Sequence, residues 1–255
     1  MSNLWYINIT AEFLILVALR DVGIKIEIVE TINSKERTNA DISFIFMILF
    51  LDIISPVPKF VITDSNKVVE SLHILDQNYT KISDTIHNKF LILQRKYNLL
   101  NILNHLIICT GPGSYTSLRV GITFMLGIRY SREIPICGIT CTELFSPFIM
   151  REDFYKTLII ICSTNNQNFL CLPFNHKDYL YKILKINDKY SFDSIDFKLY
   201  SKCISNFKLP RFINNKICSN IDKLTYINLE NTIHKNFLTI FSNEKILHPI
   251  YISDN

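Results

Sequence analysis

Ile107-Ile-Cys-Thr-Gly-Pro-Gly-Ser-Tyr-Thr-Ser-Leu-Arg-Val-Gly-Ile122 is the stretch from which the chain can be read. The sequence holds only six glycines, and Gly111, Gly113, Gly121, Gly127 and Gly138 fall close together here. A chain this poor in glycine keeps the residue where the backbone needs it. Leu106 to Cys109 reads as a short strand, and a tight turn follows. Pro112 fixes its own φ and Gly113 is expected to take a positive one, the order of a type II turn. Ser114 is then expected to cap a helix from Tyr115 to Arg129. Free amides at a helix start attract anions. Gly111, Gly113 and Ser114 are therefore candidate phosphate-binding positions, with a purely structural strand-to-helix turn as the alternative. The stretch is not a Walker A loop, because no lysine lies between Lys96 and Lys156.

The helix itself carries information. Between Leu118 and Ile128 only Arg119 and Thr123 are clearly polar. A helix so apolar is expected to be buried on several sides, in a core or against a partner. Gly121 and Gly127 each cost about 1 kcal/mol relative to Ala, a cost that close approach of another backbone would offset.

Composition narrows the class. The 255 residues are 48% hydrophobic, enough for one large domain or two small ones. The net charge of +4 permits contact with RNA without arguing for it. The seven cysteines form no CxxC pair, which favours reduced thiols and a cytoplasmic protein. The six histidines show no metal-ligand spacing, so no metal site is expected. The longest apolar run, Phe44 to Leu51, is far short of a membrane span.

Further along the chain, Met47 to Ile54, Lys59 to Thr63 and Val68 to Leu75 read as three strands, the last two joined by an Asp64–Lys67 hairpin turn. Tyr79, Ile82, Ile86, Phe90, Leu93 and Tyr97 step by threes and fours, the period of one helical face. Ile134 to Ile139 is a further strand and Cys141 to Phe148 a short helix. Thr157 to Cys162 and Phe169 to Pro173 read as a hairpin. The lysines and tyrosines from Lys177 to Tyr190 form either a solvated face or an RNA contact.

Gly111-Pro-Gly-Ser-Tyr-Thr-Ser-Leu-Arg-Val-Gly121, then Ile134-Pro-Ile-Cys-Gly-Ile-Thr140 and Glu143-Leu, resembles the TsaB (YeaZ) family. That family has a GPGSFTGLRIG-type loop and helix followed by an IPLVGVSSLEAL-type strand and helix. Ser117 departs from it, standing where the family usually has Gly. The resemblance covers about 47–148 and weakens towards 175. It implies an α/β fold of the actin/hexokinase/Hsp70 type, with ribonuclease-H-like lobes of mixed sheets and flanking helices. The expected lobes are 47–150 and a smaller, divergent 151–255. Residues 1–46 precede the resemblance. They are either an upstream reading-frame extension, with Met47 as the true start, or a genuine added segment.

Several functional expectations follow from the resemblance. The superfamily places a phosphate motif on its first strand, and the eroded Asp52-Ile-Ile-Ser55 stands there. Asp52 and Ser55 are thus candidates for holding ATP or ADP with Mg²⁺ at a degenerate or shared site, or else Asp52 is a turn residue capping a backbone N–H. The Asp-Ala-Arg-like motif of the second lobe is replaced by Cys162-Ser-Thr164. The family role is that of a non-catalytic subunit which binds the TsaD-like threonylcarbamoyltransferase. With a TsaE-like ATPase the complex modifies tRNA, giving an indirect tRNA partner; a homodimer is a further option. Ile82, Ile86, Phe90, Leu118, Arg119, Ile122 and Met125 are the candidate interface residues. An ATP-binding kinase or ATPase is the alternative function. A peptidase using Ser114 or Ser117 is the weakest reading, since neither is tied by motif to a histidine.

Overall fold

In the computed structural model, residues 47–64, 67–75, 81–175, 180–186, 192, 195–233, 247, 249–250 and 252 are described. The readings made for residues 1–46, for the start of the helix at Tyr79, and for much of 177–190 lie outside them. Residues Ile45–Asn255 form one compact unit.

The first sheet is built from β1 (Met47–Asp52), β2 (Lys59–Thr63), β3 (Val68–His73), β4 (Leu103–Cys109) and β5 (Ile136–Ile139) in the order β3-β2-β1-β4-β5. β1, β2 and β3 form an antiparallel meander, while β4 and β5 add in parallel. Ile48 to Leu51 are fully buried, because the central strand is covered on both faces, and a strand so placed reads as a continuous apolar run. β3 lies at the edge, and its burial alternates residue by residue.

Helices α1 (Ile82–Tyr97), α2 (Leu99–Ile102) and α3 (Tyr115–Arg132) accompany this sheet. On α1, Ile82, Ile86, Phe90 and Leu93 are buried, the stripe expected from the spacing. Asn98 ends the helix in the left-handed region, with its N–H on the Gln94 carbonyl. Phe60 of β2, Phe90 of α1 and Phe124 of α3 meet with ring centroids 5.5–6.1 Å apart, fixing both helices to the same face.

The second sheet comprises β6 (Thr157–Cys162), β7 (Asn168–Asn175), β8 (Leu180–Ile186), β9 (Lys202–Ser205) and β10 (Lys223–Tyr226), ordered β10-β9-β6-β7-β8. Read from its other edge, this is the order of the first sheet again. β6, β7 and β8 form the antiparallel meander, and β9 and β10 add in parallel beside β6. The chain therefore repeats one fold unit, with β6 in the place of β1 and β9 in the place of β4. Short α4 (Cys141–Phe145) leads out of the first sheet, capped by Thr140, whose side chain and amide exchange bonds with Glu143. α5 (Arg211–Asn220) joins β9 to β10 and covers a core that includes Leu158, Ile160, Phe192, Phe197, Ile213 and Ile217.

Three local expectations are corrected. Gly111, with φ +123°, takes the positive dihedral rather than Gly113, and the Gly111–Pro112 bond is cis, so the turn is not type II. Ser114 stands at the N-cap of α3, but its side chain makes no capping bond. The helix buries Ser117, Leu118, Gly121, Met125 and Ile128, and the two residues read as polar, Arg119 and Thr123, are exposed. At Gly121 the close neighbour is the Ile53 side chain rather than a backbone, and Gly127 has open space where a Cβ would lie.

Candidate functional site

The carboxyl ends of β1, β4, β6 and β9 are tied together by a small set of polar links. In open α/β sheets the crevice outside strand carboxyl ends is where ligands bind. Here the described residues bridge the crevice with bonds of their own. The Thr164 N–H donates to the Ile54 carbonyl at 3.0 Å. The Ser114 N–H lies 3.3 Å from Ser163 Oγ. Ser117 Oγ and Thr164 Oγ1 are 3.1 Å apart. The Asn206 amide donates to the Cys162 carbonyl at 2.8 Å and to Ser55 Oγ at 3.2 Å, and its oxygen accepts the Cys162 N–H at 2.7 Å.

Of the proposed phosphate-binding residues, Ser55 and Ser114 take part in these links, and Asp52, Gly111 and Gly113 are buried beside them. Asp52 is fully buried, and its Oδ1 accepts the amides of Ile54 at 3.0 Å and Ser55 at 2.9 Å. It is the turn-capping residue of the two readings. Burial holds its carboxyl above the usual range, against the Ser55 hydroxyl and amide and the Lys59 charge, which pull it down. Gly111, Gly113 and Ser114 are buried as well. A Cβ at Gly111 would lie 3.0 Å from the Ile250 carbonyl, and one at Gly113 would lie 2.5 Å from Ile54 Cδ1. The Ile250 N–H donates to the Thr110 carbonyl at 2.8 Å, so a residue far along the chain covers the loop. As placed, these buried residues present no open cradle for a Mg²⁺-nucleotide complex among the described residues.

Ser117, the departure from the family loop, is explained by this arrangement, because its hydroxyl supplies a link to Thr164. As a nucleophile it is buried and committed to that bond. Thr164 lies in the Cys162-Ser-Thr164 segment that replaces the Asp-Ala-Arg-like motif, whereas Asn206, a polar residue beyond a strand end, belongs to no motif. Cys141 packs beneath the loop with its N–H on the Gly111 carbonyl, and its sulfur is 3.4 Å from that of Cys109. Burial drives the Cys141 thiol well up, so it is unreactive as a nucleophile. Among the described residues no three His, Cys, Asp or Glu side chains could hold a metal ion, and no helix is long and apolar enough to cross a membrane.

An open concavity lies elsewhere, between α1 and α3. This groove of about 550 Å³ is floored by Ile86, Val120 and Phe124 and rimmed by His87, Tyr115 and Arg119. The Arg119 guanidinium sits over the Tyr115 ring, 5.3 Å from its centroid. Of the seven proposed interface residues, only Arg119 is exposed, and Ile122 is half-buried. Ile82, Ile86 and Phe90 are 4–6% exposed, and Leu118 and Met125 are fully buried. Ile82, Phe90, Leu118 and Met125 pack into the core, and Ile86 packs there while also flooring the groove. The groove surface is supplied by Tyr115, Thr116 and Thr123 beside Arg119, residues that an apolar stripe does not reveal.

No protein-family model matches this sequence. No curated protein matches it either. Among solved structures, the chain is similar to an uncharacterized Pseudomonas aeruginosa protein described as similar to peptidase YEAZ. The TM-score is 0.53 at 11% identity, covering 82% of this chain and 100% of that one. It is also similar to YeaZ from Pseudomonas aeruginosa, with a TM-score of 0.50 at 10% identity over 81% of this chain and 100% of that one. The likeness is one of fold. Together with the repeated strand order, it establishes an α/β fold of two mixed sheets with flanking helices, of the kind seen in those YeaZ structures.

Proposed function

We propose that this chain is a non-catalytic scaffold subunit of the machinery that makes threonylcarbamoyladenosine in tRNA, acting in the cytoplasm. Its α1–α3 groove receives a TsaD-like threonylcarbamoyltransferase. A TsaE-like ATPase and the tRNA join through that complex, and a second copy of this chain is the competing occupant of the groove. The carrying observation is the open groove on a chain whose fold matches a YeaZ structure along that structure's whole length. The bridged strand-end crevice supports the absence of catalysis from the reading, since Asp52 and the Gly111–Ser114 loop are committed to internal contacts. Apolar floor with a polar, charged rim is the anatomy of a protein interface.

The test is co-purification with the TsaD-like protein of the same organism, using Tyr115→Asp and Arg119→Glu. Both residues are exposed, so the fold is expected to survive either change. Loss of a desolvated aromatic or arginine contact typically weakens an interface by more than 1–2 kcal/mol, so at least about a tenfold loss of complex is expected. A folded wild type that forms no complex, or variants that bind as wild type does, would overturn the proposal.

A further inference from the structure

The second lobe carries its own strand-to-helix loop in the place that the Gly-Pro-Gly loop occupies in the first. Asn206 to Pro210 follow β9 as Thr110 to Ser114 follow β4, and α5 follows as α3 does. The two loops are turned to opposite uses. Gly111 to Ser114 are buried, whereas Phe207, Lys208, Arg211 and Phe212 are exposed. Residues 206–221 contain Lys208, Arg211 and Lys216 and no Asp or Glu. Among the described residues neither Lys208 nor Arg211 makes an ion pair.

Phe212 and Tyr226 have their rings fixed by side-chain contacts, and Phe207 is fixed through its backbone. Phe207 is 37% exposed, and its carbonyl accepts the Ser205 hydroxyl at 2.8 Å. Phe212 is 42% exposed, with one edge against buried Phe192 at 6.3 Å and 82°. Tyr226, 47% exposed at the end of β10, donates its hydroxyl to Asn214 of α5 at 3.2 Å, which brings it to the same end of the sheet. Single exposed apolar side chains are ordinary. Three exposed rings, two of them anchored, interleaved with cations that make no ion pair among the described residues, with no carboxylate in the segment, make a surface that suits bases and phosphates together. Rings fixed beforehand lose little freedom on stacking, and the cations complement a phosphate backbone.

We propose that Phe207, Lys208, Arg211, Phe212 and Tyr226 form a binding surface for a single-stranded polynucleotide, with bases stacked on the rings and phosphates held by Lys208 and Arg211. This rests on the second-lobe surface alone and does not depend on partner docking at the groove.

The test is fluorescence anisotropy of the full chain with a labelled oligouridylate of about 12 nucleotides, within the range of site sizes such surfaces take. A duplex of equal length and heparin serve as comparisons. Saturable binding is expected to weaken with salt, with a log–log slope near −1.4 for two phosphate contacts. The double variant Lys208→Glu/Arg211→Glu should lose at least about tenfold in affinity and most of that slope. Phe207→Ala should lose about fivefold or more. Circular dichroism checks that both variants are folded. The proposal is overturned if the wild type shows no saturable binding at low salt, if the duplex or heparin binds as tightly as the single strand, or if folded variants bind as the wild type does. None of these results bears on co-purification with the transferase, so failure here leaves the scaffold reading standing.

Discussion

His105 on β4 shows how one side chain's surroundings become a property of the whole chain. Burial pushes its imidazole down to about 4, with the Asn104 backbone acting weakly the other way. An unfolded histidine titrates near 6.5. Between these values the unfolded chain binds the extra proton and the native chain does not. Stability from this group is therefore complete above about pH 6.5 and is lost as pH falls towards 4. After allowance for its partial exposure the loss is about 2 kcal/mol. Urea midpoints between pH 7 and 4 should fall less steeply in His105→Gln than in wild type. Equal slopes would show that the imidazole is not the group responsible. Asp52 acts in the opposite sense. Its raised pKa lets the native state take up a proton first, so its contribution is present at low pH and declines as pH rises through its folded value.

At the scale of the element, the two glycines of α3 have different grounds for being there. Gly127 faces open space, and a Cβ there would meet nothing within 4 Å. Gly127→Ala should raise stability by about 0.5–1 kcal/mol, the ordinary helix-propensity gain. A Cβ at Gly121 would lie 2.3 Å from Ile53 Cδ1 and 3.0 Å from its Cγ2, and Ile53 is fully buried just beyond β1. Overpacking of this kind costs about 1–3 kcal/mol and outweighs the propensity gain. Gly121→Ala should thus unfold at lower urea than wild type and Gly127→Ala at higher. The same direction of shift in both would mean that Ile53 moves aside freely.

Over the whole molecule, the two sheets share one strand order and are joined where their parallel strands end. Asn206 is the clearest single tie. It is buried, satisfies both the N–H and the carbonyl of Cys162, and reaches across to Ser55 of the first lobe. Asn206→Ala leaves buried polar groups without partners, at about 1–3 kcal/mol for each group exposed to that loss. A drop in stability of about 3 kcal/mol is expected. Because 45–255 is one compact unit, amide exchange should accelerate in β1 and β4 as well as in β6 and β9. Acceleration confined to the second sheet would instead mean that the lobes unfold separately.

What the sequence by itself determined is the set of elements that bury local apolar patterns. Met47 to Asp52, Lys59 to Thr63 and Thr157 to Cys162 are legible because strands covered on both faces must be continuously apolar. The α1 stripe is legible because a helix lays every third or fourth residue on the same side. The loop of Gly111 to Ser114 is legible as a strand-to-helix turn, but not in its dihedrals, since two glycines and a proline permit several turn geometries. Tertiary structure alone decided the rest. Leu118 and Met125 look the same in sequence whether they meet a sheet or a partner, and only the packed sheet assigns them to the core. Asp52 carries the same carboxylate whether it holds a cation or caps two amides. Its Oδ1 caps the amides of Ile54 and Ser55 within a local turn, while Thr164 and Asn206 arrive from distant parts of the chain to bond Ile54 and Ser55 of that same turn. Spacing encodes which side of an element is apolar, and contacts between residues far apart in sequence determine what that side, or a lone polar group, comes to face.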